Sequence, residues 1–363
     1  MRARAALAGL MVLVTLVVVL VSTGRLSPAL PSGVCGLFAS PSGSDASGNG
    51  SRTRPFATVA RLDRALSPGQ TGCLQSGTYG DTSTWHQVNT NGTSTGQIIL
   101  SAAPGATVKI VGWVDIEGSY TTLENVAVDG SNSLYAQHPA GVNCPGNTSQ
   151  PLVLAGTGDV LQYVDYYQSV ASMRGNAIGV GFWGNADNTV IRYSKIHDVG
   201  QCMAYDHLIY LSHGNNVRIY GNWMYDDPHG DAVQLYPAPT NARIYANVID
   251  QVGEGFVVGN SGASTVSGNQ IYDNVISNST GLATYGLAGD AIHDIWDGTP
   301  GTGNTFTDNV LYNNPGGLGR ITAIHASGNI TANPQYTNPA IHAYQVPTTS
   351  PAAALSLWNG IFS

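Results

Sequence analysis

The sequence predicts an all-β protein built as a parallel β-solenoid, because a short phrase recurs along the second half of the chain. Four copies read Ile219-Tyr220-Gly221-Asn222, Ile244-Tyr245-Ala246-Asn247, Ile271-Tyr272-Asp273-Asn274 and Phe306-Thr307-Asp308-Asn309. Counting from a looser copy that ends at Ser194, the turn residues follow one another at intervals of 28, 25, 27 and 35 positions. A unit of that period cannot bury its apolar face alone and must stack on copies of itself.

The pattern inside each copy identifies the stacked elements as strands. Apolar and polar residues alternate, which is the periodicity of a β-strand. An Asn at each bend can adopt left-handed backbone and bond its own main chain, and stacked copies would form a ladder of Asn side chains. The apolar residues two positions after each turn residue are expected to stack as core: Ile196, Met224, Ile249, Ile276 and Leu311.

The composition agrees with a turn-rich all-β protein. Only 10% of the 363 residues are charged, and 45 are Gly, a profile that helical enzymes do not have. The net charge of −8 at pH 7 argues against a nucleic acid or an anionic membrane as partner. A local row of Arg can still reverse the field in one groove and attract an acidic polysaccharide.

Residues 1–33 are predicted to be an export signal or a membrane anchor, followed by a linker. Arg2 and Arg4 precede an apolar run from Ala5 to Val21, and Ser, Pro and Gly are frequent after it, as in an export signal. We favour a cleaved signal, and an uncleaved anchor of about 18 residues is the alternative. Either way, we expect the solenoid domain at 34–355 to be a monomer outside the cytoplasm, secreted or anchored at the outer face of the membrane.

The four cysteines predict disulfide bonds. They are Cys35, Cys73, Cys144 and Cys202, and an even number in an exported chain indicates pairing. Three pairings are open. We favour Cys35–Cys73 with Cys144–Cys202, because each pair falls in one region of the chain. Their spacing does not match a zinc site.

Both ends of the solenoid are expected to be covered. Residues 54–66 combine Pro55, which suits a first helical position, with apolar residues at helical spacing, so we predict one amphipathic helix. This helix would cap the open end of the sheets and hide their edges. Residues 333–363 are predicted to form an irregular cap at the other end.

These flanking segments also carry a family resemblance. The opening Gly43-Ser44-Asp45, Arg54-Pro55-Phe56-Ala57-Thr58 and Gly77-Thr78-Tyr79, with the closing Asn333-Pro334-Gln335-Tyr336, resembles the secreted bacterial right-handed parallel β-helix proteins of the pectate-lyase-like superfamily. The resemblance implies a right-handed helix over about residues 35–355. It does not specify the chemistry, because this architecture hosts lyases, epimerases, hydrolases and proteins without known activity.

One sheet is predicted to present a row of Arg and Tyr. If Ile219 points inward, Arg218 and Tyr220 point outward, and Arg243 and Tyr245 repeat them one turn later. Arg pairs with carboxylates, and Tyr offers a flat face and a hydroxyl to sugars. We therefore predict that these four residues bind substrate; the alternative is that they only cover the sheet.

The second strand of each copy is expected to carry a column of acids. Aligning Ile178, Leu208, Val233 and Phe256 as core puts Asn176, Asp206, Asp231 and Glu254 one above another, with Asp290 as a further member. Neighbouring carboxylates about 4.8 Å apart repel and should raise at least one pKa. The column predicts either a cation site, with Ca²⁺ on Asp206, Asp231 and Glu254, or catalytic acids; acids that only bond backbone N–H groups are the structural alternative.

Histidines lie beside this column. His207, His213 and His229 fall within 23 residues on two neighbouring copies, and His207 is expected to face outward. Asp227-Pro228-His229 also resembles the Asp-Pro-His motif of mannuronan C5-epimerases, although the flanking residues differ. That resemblance implies catalytic roles for His229 and Asp227.

The leading functional hypothesis is a secreted enzyme that acts on an acidic polysaccharide by β-elimination or C5 epimerisation. Both reactions need a base for the C5 proton and a group that neutralises the carboxylate. The predicted catalytic residues are His207, His229, Asp231, Asp206 and Asp227, and the predicted substrate-binding residues are Arg218, Arg243, Tyr220, Tyr245 and His213. Tyr210 is the weakest candidate base, because the alignment turns it inward. The alternatives are a glycoside hydrolase with paired Asp and a silent glycan-binding solenoid.

Overall fold

The chain winds into a parallel β-helix with three strands per turn. The computed structural model describes residues 34–133, 150–182, 184–200, 206–262, 266–281 and 288–354. Each turn, here called a rung, contributes one strand to each of three parallel sheets, and the strands of neighbouring rungs pair in parallel throughout the described residues. Stacking is required because a single rung leaves both its backbone groups and its apolar face unpaired.

Sheet 1 has eleven strands and carries the recurring Ile-Tyr phrase. Its strands are Cys35–Ala39, Thr71–Leu74, Ile98–Ala102, Thr121–Glu124, Val160–Gln162, Val190–Arg192, Arg218–Tyr220, Arg243–Tyr245, Gln270–Tyr272, Thr305–Thr307 and His325–Ser327.

Sheets 2 and 3 follow on each rung and are joined by two long strands, Trp223–Thr240 and Val248–Gly259, which bend from one sheet into the other. The other strands of sheet 2 are Gly77–Tyr79, Val108–Val111, Ala127–Asp129, Asp165–Tyr167, Lys195–His197, Val275–Ser277, Val310–Tyr312 and Ile330–Thr331. The other strands of sheet 3 are Trp85–Val88, Trp113–Ile116, Leu152–Leu154, Ile178–Val180, His207–Asn215 and Ile292–Trp296.

The interior is a continuous stack of aliphatic side chains, as the alternation predicts. In sheet 1, Ile191, Ile219, Ile244 and Ile271 are paired rung to rung and are essentially unexposed. The predicted core residues of sheet 2 are confirmed, because each pairs with the next and all are buried: Ile196, Met224, Ile249, Ile276 and Leu311.

The predicted Asn ladder is present between sheets 1 and 2. Asn222, Asn247, Asn274 and Asn309 are buried, and the last three each accept bonds from the main chain and the side chain of the preceding Asn at 2.9–3.1 Å. Asn222 accepts from the Ser194 N–H at 3.0 Å. The left-handed residue at each bend is the one before the Asn, such as Ala246 with φ 52°. The expectation that the Asn itself is left-handed is therefore wrong: its side chain bonds the next rung instead.

The predicted N-terminal helix is shorter than expected. It spans Val59–Asp63 rather than 54–66, and Thr58 caps it by accepting a hydrogen bond from the Arg61 N–H at 3.1 Å. The preceding residues stay extended because the Asp45 carboxylate accepts hydrogen bonds from the Ala57 and Thr58 N–H groups. Val59 and Leu62 are buried against the first rungs.

The described part of the predicted C-terminal cap lies along the side of the helix. Tyr344 and Ala352 are buried against Trp223 and Tyr225 on the outer face of sheet 2, and the Tyr344 hydroxyl donates to the Asp250 carboxylate at 3.0 Å. Sheet 2 needs this cover because its outer face, unlike an ordinary solvated one, carries large aromatic rings.

At the N-terminal end, Cys35 and Cys73 form the predicted disulfide between the first two strands of sheet 1. Cys144 and Cys202 lie outside the described residues, as do residues 1–33, so the second pairing and the export signal stay predictions. Of the helices in the described ranges, none is both long and apolar enough to cross a membrane.

Candidate functional site

The register of sheet 3 differs by one residue from the predicted alignment. Ile178 pairs with Ile209, and Ile209 pairs with Val233, so Ile209 rather than Leu208 continues the core row. Both residues are buried because the chain bends there, and the apolar pattern alone does not decide between them. A shift of one residue turns neighbouring side chains to the other face.

This register replaces Asp206 by His207 in the polar column. His207 pairs directly with Asp231, and Asp231 pairs with Glu254. The pairing of Phe256 with Ile292 puts Asp290 in the same column, as predicted. The column, at the bend where the sheet 3 strands begin, is therefore Asn176, His207, Asp231, Glu254 and Asp290, all of them buried.

The same register turns Tyr210 outward, so its prediction as an inward residue is wrong. Tyr210 and Gln234 pair on adjacent rungs and line a pocket of about 360 Å³. Phe182 meets Tyr210 edge to face, with ring centres 5.4 Å apart. The described residues that line the pocket are Gln150, Asn176, Phe182, His207, Tyr210, Gln234, Tyr236, Trp296 and Asp297.

Three buried polar atoms at this pocket have no hydrogen-bond partner in the described part of the chain. They are Gln150 Oε1, Asn176 Oδ1 and His207 Nδ1. Buried polar groups are normally satisfied, so each such atom calls for a water, an ion or a ligand. An amide offers both an acceptor and donors, and the aromatic walls add an apolar surface. The pocket thus has the chemistry of a site for a polyhydroxylated ligand.

His207 and Asp231 form a close pair next to the pocket. His207 Nδ1 lies 3.6 Å from Asp231 Oδ2, which is longer than a hydrogen bond. Burial lowers the pKa of His207 to about 3, so the imidazole is neutral at physiological pH. Because Nδ1 is directed at Asp231, Nε2 is the nitrogen that can accept a proton from a ligand in the pocket.

The buried acids around His207 tend to be protonated. Burial raises the pKa of Asp231 well above its ordinary value, and the charges of Glu254 and Asp227 raise it further. Burial also raises the pKa of Asp227, and the Asp206 charge adds to this. The nearest donors to Asp227, the N–H groups of His229 and Gly230, offset only part of that rise. Repulsion along the column is relieved by protonation, as the sequence predicts for at least one member.

The Glu254 carboxyl, unlike these acids, is kept deprotonated. Burial by itself would raise the pKa of Glu254, but the hydrogen bond with His293, its charge, the Ala288 N–H and Arg320 together keep the pKa below its ordinary value. His293 Nδ1 lies 3.0 Å from Glu254 Oε2, and Arg320 Nη2 lies 2.9 Å from Glu254 Oε1. Arg320 also donates through Nε to Asp290.

Arg320 therefore stands where a cation would bind this end of the column. Glu254, Asp290 and His293 present ligand atoms within 4.8 Å of one another, a set that suits a divalent ion by chemistry. The guanidinium already neutralises the two carboxylates, and Asp231 tends to be protonated. The calcium site on Asp206, Asp231 and Glu254 stays a prediction.

The remaining predicted catalytic residues surround the column but are not members of it. Asp206 is buried, and its carbonyl oxygen accepts a hydrogen bond from the Asp231 N–H at 3.0 Å. His229 lies in the irregular stretch between Asp227 and Asp231, where the pairing register shifts. His213 is exposed at the end of its strand and bonds Ser212. The structure thus brings His207 and Asp231 together beside the pocket, and His213 is not among the described pocket residues.

The predicted Arg and Tyr row is real, but it lies on sheet 1, on a different face from the pocket. Arg218 pairs with Arg243, and both are exposed. Tyr220 and Tyr245 stack with ring centres 4.8 Å apart and planes 3° apart, and Tyr272 stacks on Tyr245. Their flat faces stack on one another, and the substrate-binding role of Arg218, Arg243, Tyr220 and Tyr245 stays a prediction. Edges and hydroxyl groups are what the row offers.

Several site residues escaped the sequence analysis. Arg320 comes from a segment with no recurring phrase, and Gln150, Tyr236 and Trp296 are far apart in sequence, so no local signal joins them. His293 had a signal: it follows Asp290-Ala291-Ile292, which the column already includes, and it lies in the row of Tyr210 and Gln234.

Comparison with known proteins identifies the fold. The sequence model of the right handed beta helix region matches residues 175–350, which contain the whole column from Asn176 to Asp290. The chain is a right-handed parallel β-helix protein. The resemblance to the pectate-lyase-like superfamily is thereby confirmed at the level of fold, and the winding is right-handed as it implied. No curated protein matches the sequence.

Solved structures share this β-helix at low identity. XylC, solved in complex with xylose, is 12% identical, with 80% of this chain and 69% of that chain covered and a TM-score of 0.53. Pectate lyase Pel9A is 14% identical, with 82% and 78% covered and a TM-score of 0.51. The Agl-KA catalytic domain is 13% identical, with 84% and 55% covered and a TM-score of 0.52. At such identities the likeness shows the fold alone.

Proposed function

We propose that this β-helix protein is a polysaccharide-cleaving enzyme whose active site is the pocket on sheet 3, and that it cleaves a uronate-containing chain by β-elimination. The observation that carries the proposal is the aromatic pocket beside Tyr210, which His207 lines and in which the buried amide oxygens of Gln150 and Asn176 have no hydrogen-bond partner among the described residues. The fold is shared with a pectate lyase and with a protein solved with xylose, which supports a polysaccharide as substrate.

The residues of the pocket supply each part of the reaction. His207 Nε2 is the proposed acceptor of the C5 proton, because the imidazole lines the pocket and is neutral before the reaction. The electron pair of that C–H bond forms the C4–C5 double bond as the bond from C4 to the glycosidic oxygen breaks. The NH2 groups of the Gln150 and Asn176 amides would donate to the uronate carboxylate, where negative charge develops, and their unpartnered oxygens would accept hydrogen bonds from sugar hydroxyl groups.

Tyr210 is the proposed acid. Burial raises the pKa of Tyr210 above its ordinary value, so the hydroxyl carries its proton at neutral pH and can give it to the leaving oxygen. Its ring lies next to His207, with ring centres 5.4 Å apart, so base and acid can serve one sugar linkage. Asp231, next to His207 Nδ1, is a positioning residue that fixes the imidazole orientation.

Absorbance of the unsaturated uronate product tests this proposal. We expect a rise near the ultraviolet band of that product when the protein is mixed with polygalacturonate or alginate, with and without a calcium chelator. His207→Ala and Tyr210→Phe should each lower kcat by about 10²- to 10⁴-fold, the usual contribution of a general acid or base. The matched control is His325→Ala, an exposed histidine on sheet 1, which should retain full activity. If His207→Ala forms the unsaturated product as fast as the wild type does, His207 is not the base.

Glycoside hydrolysis is the second candidate, and a different observation favours it. Asp231 and Glu254 are paired on adjacent rungs, and their pKa values move in opposite directions, upward for Asp231 through burial and downward for Glu254 through His293 and Arg320 despite burial. Such a split is how a site assigns one carboxyl as acid and another as base or nucleophile. New reducing ends without ultraviolet absorbance, lost in Asp231→Asn and in Glu254→Gln, would select hydrolysis over elimination.

A further inference from the structure

Two tryptophans lie on the outer face of sheet 3, away from the pocket. Trp85 and Trp113 pair on the first two rungs of this sheet, with ring centres 5.7 Å apart and planes inclined at 31°. Trp85 is 55% exposed, which is unusual for so large an apolar ring. A cavity of about 270 Å³, bordered by Thr58, Tyr79 and His86 among others, adjoins Trp85.

Polar atoms beside these rings are buried without partners. Asp115 is 2% exposed, and its Oδ1 has no hydrogen-bond partner in the described residues. Trp113 Nε1 is buried and unpartnered in the same way. Burial and, after it, the Glu117 charge raise the pKa of Asp115 to about 6, although a hydrogen bond with Trp85 offsets part of the rise. Asp115 Oδ1 is an unsatisfied acceptor and Trp113 Nε1 an unsatisfied donor, and both lie near the exposed ring of Trp85. This combination suits a ligand that has hydroxyl groups and an apolar face.

These residues and the pocket belong to one row of the sheet. Asp115 pairs with Val153, Val153 with Gly179, and Gly179 with Tyr210. Three rung spacings separate Asp115 from Tyr210, which is about 14 Å along the helix axis. The two residues between Asp115 and Tyr210 in this row, Val153 and Gly179, are small and apolar, so neither would block a sugar chain that lies along the row.

We propose that Trp85 and Trp113, with Asp115, form a distal sugar subsite that binds the same polysaccharide chain several residues away from the bond that is cleaved. A sugar ring would lie with its apolar face on Trp85 and direct hydroxyl groups to Asp115 Oδ1 and Trp113 Nε1. This inference rests on the proposed polysaccharide substrate. It predicts that the enzyme prefers long polysaccharide chains to short oligosaccharides.

Chain-length dependence is the kinetic test. Trp85→Ala should raise KM for polygalacturonate or alginate about three- to tenfold, the effect of losing one aromatic contact, and should leave kcat/KM on trisaccharides of the same uronate unchanged. Trp85→Phe, which keeps a ring, should restore most of the loss. Ile330→Ala, an exposed aliphatic residue at the far end of the helix, is the control. Equal effects on long and short substrates, or none on either, would overturn the subsite.

A binding measurement separates this inference from the proposed chemistry. In native gels that contain the same polysaccharides, wild-type protein should be retarded, and Trp85→Ala should be retarded less at every polysaccharide concentration while Ile330→Ala is retarded like the wild type. That result supports the subsite even if no bond is cleaved, in which case the proposed reaction fails and the subsite survives. If wild-type protein migrates at the same rate with and without each polysaccharide, the subsite is overturned.

Discussion

At the scale of single residues, this protein concentrates buried ionisable groups at one bend and keeps most of them uncharged. His207 is neutral because burial penalises its cation, and Asp227 and Asp231 tend to be protonated because burial penalises their anions. A buried charge is stable only when it is paired, and Glu254 meets that condition through His293 and Arg320. Groups whose environments push their pKa values apart are what acid–base catalysis uses.

The raised pKa of Asp227 predicts a pH-dependent stability. Burial, and after it the Asp206 charge, put the folded-state pKa above the unfolded value near 3.9. Its contribution is therefore fully present below about pH 3.9 and is lost as the pH rises through the folded pKa. Asp227→Asn cannot ionise, so its Tm should exceed that of the wild type at pH 8, and the difference should disappear near pH 4.

The comparison needs a matched surface variant. Asp308→Asn changes an exposed Asp at the bend between sheets 1 and 2, and its Tm should follow the wild type at every pH. A Tm difference for Asp227→Asn that stays constant from pH 4 to pH 8 would contradict the buried-proton explanation.

At the scale of elements, the rung is held by its bends as much as by its strands. Each strand of sheet 1 between residues 160 and 307 is only three residues long, too short to specify its own register. The Asn side chain at the bend bonds both the next Asn and a main-chain carbonyl, as Asn247 does with Asn274 and with Ile219. Buried amides that are fully satisfied in this way fix the position of one rung over the next.

Removing an Asn side chain should lower the free energy of unfolding more in the middle of the Asn ladder than at its end. Asn247→Ala leaves the N–H groups that Asn222 directs at it without an acceptor, and each unsatisfied buried donor costs about 1–3 kcal/mol. We expect a loss of about 2–4 kcal/mol in the free energy of unfolding, measured by denaturant titration. Asn329→Ala, at the half-buried end of the ladder, should cost less than half as much because water can replace the amide. Equal losses at the two positions would argue against the ladder as the source.

At the scale of the whole molecule, a solenoid is a stack in which each rung contacts only its neighbours, so its ends decide its integrity. The N-terminal end carries a helix, Val59–Asp63, and the disulfide between Cys35 and Cys73. The side of the C-terminal half is covered by the segment around Tyr344. The proposed active site lies between these covers, on rungs that have neighbours on both sides.

Loss of the disulfide should therefore act locally. The bond closes a sequence separation of 38 residues, and the chain-entropy model gives it a contribution of about 4 kcal/mol. In a Cys35→Ser, Cys73→Ser variant, hydrogen exchange should accelerate in the strands Cys35–Ala39 and Thr71–Leu74 and stay unchanged in Arg243–Tyr245. The proposed active site should keep its activity. Uniform acceleration over all rungs would show that the stack unfolds as one unit.

The sequence alone determined the architecture of this protein. The recurrence of the Ile-Tyr phrase, the alternation within it and the buried Asn at each bend are local signals, and they specify a stack of rungs with a known inward face. The pairing of Cys35 with Cys73 was favoured among three because the two cysteines fall in one region of the chain, and the structure has it. Aligning the core residues of successive copies found the polar column with Asp231, Glu254 and Asp290, although not its register.

Only the tertiary structure decided the site. At the bend before sheet 3, Leu208 and Ile209 are both apolar, and no pattern in one strand tells which of them continues the core row. Pairing with Ile178 and Val233 settles it, and this single step brings His207 into the column and turns Tyr210 into the pocket. The pocket collects residues from position 150 to position 297, and Arg320 reaches Glu254 from still farther along the chain. Such contacts arise from the stacking of rungs with loops of unequal length, which a linear spacing does not encode.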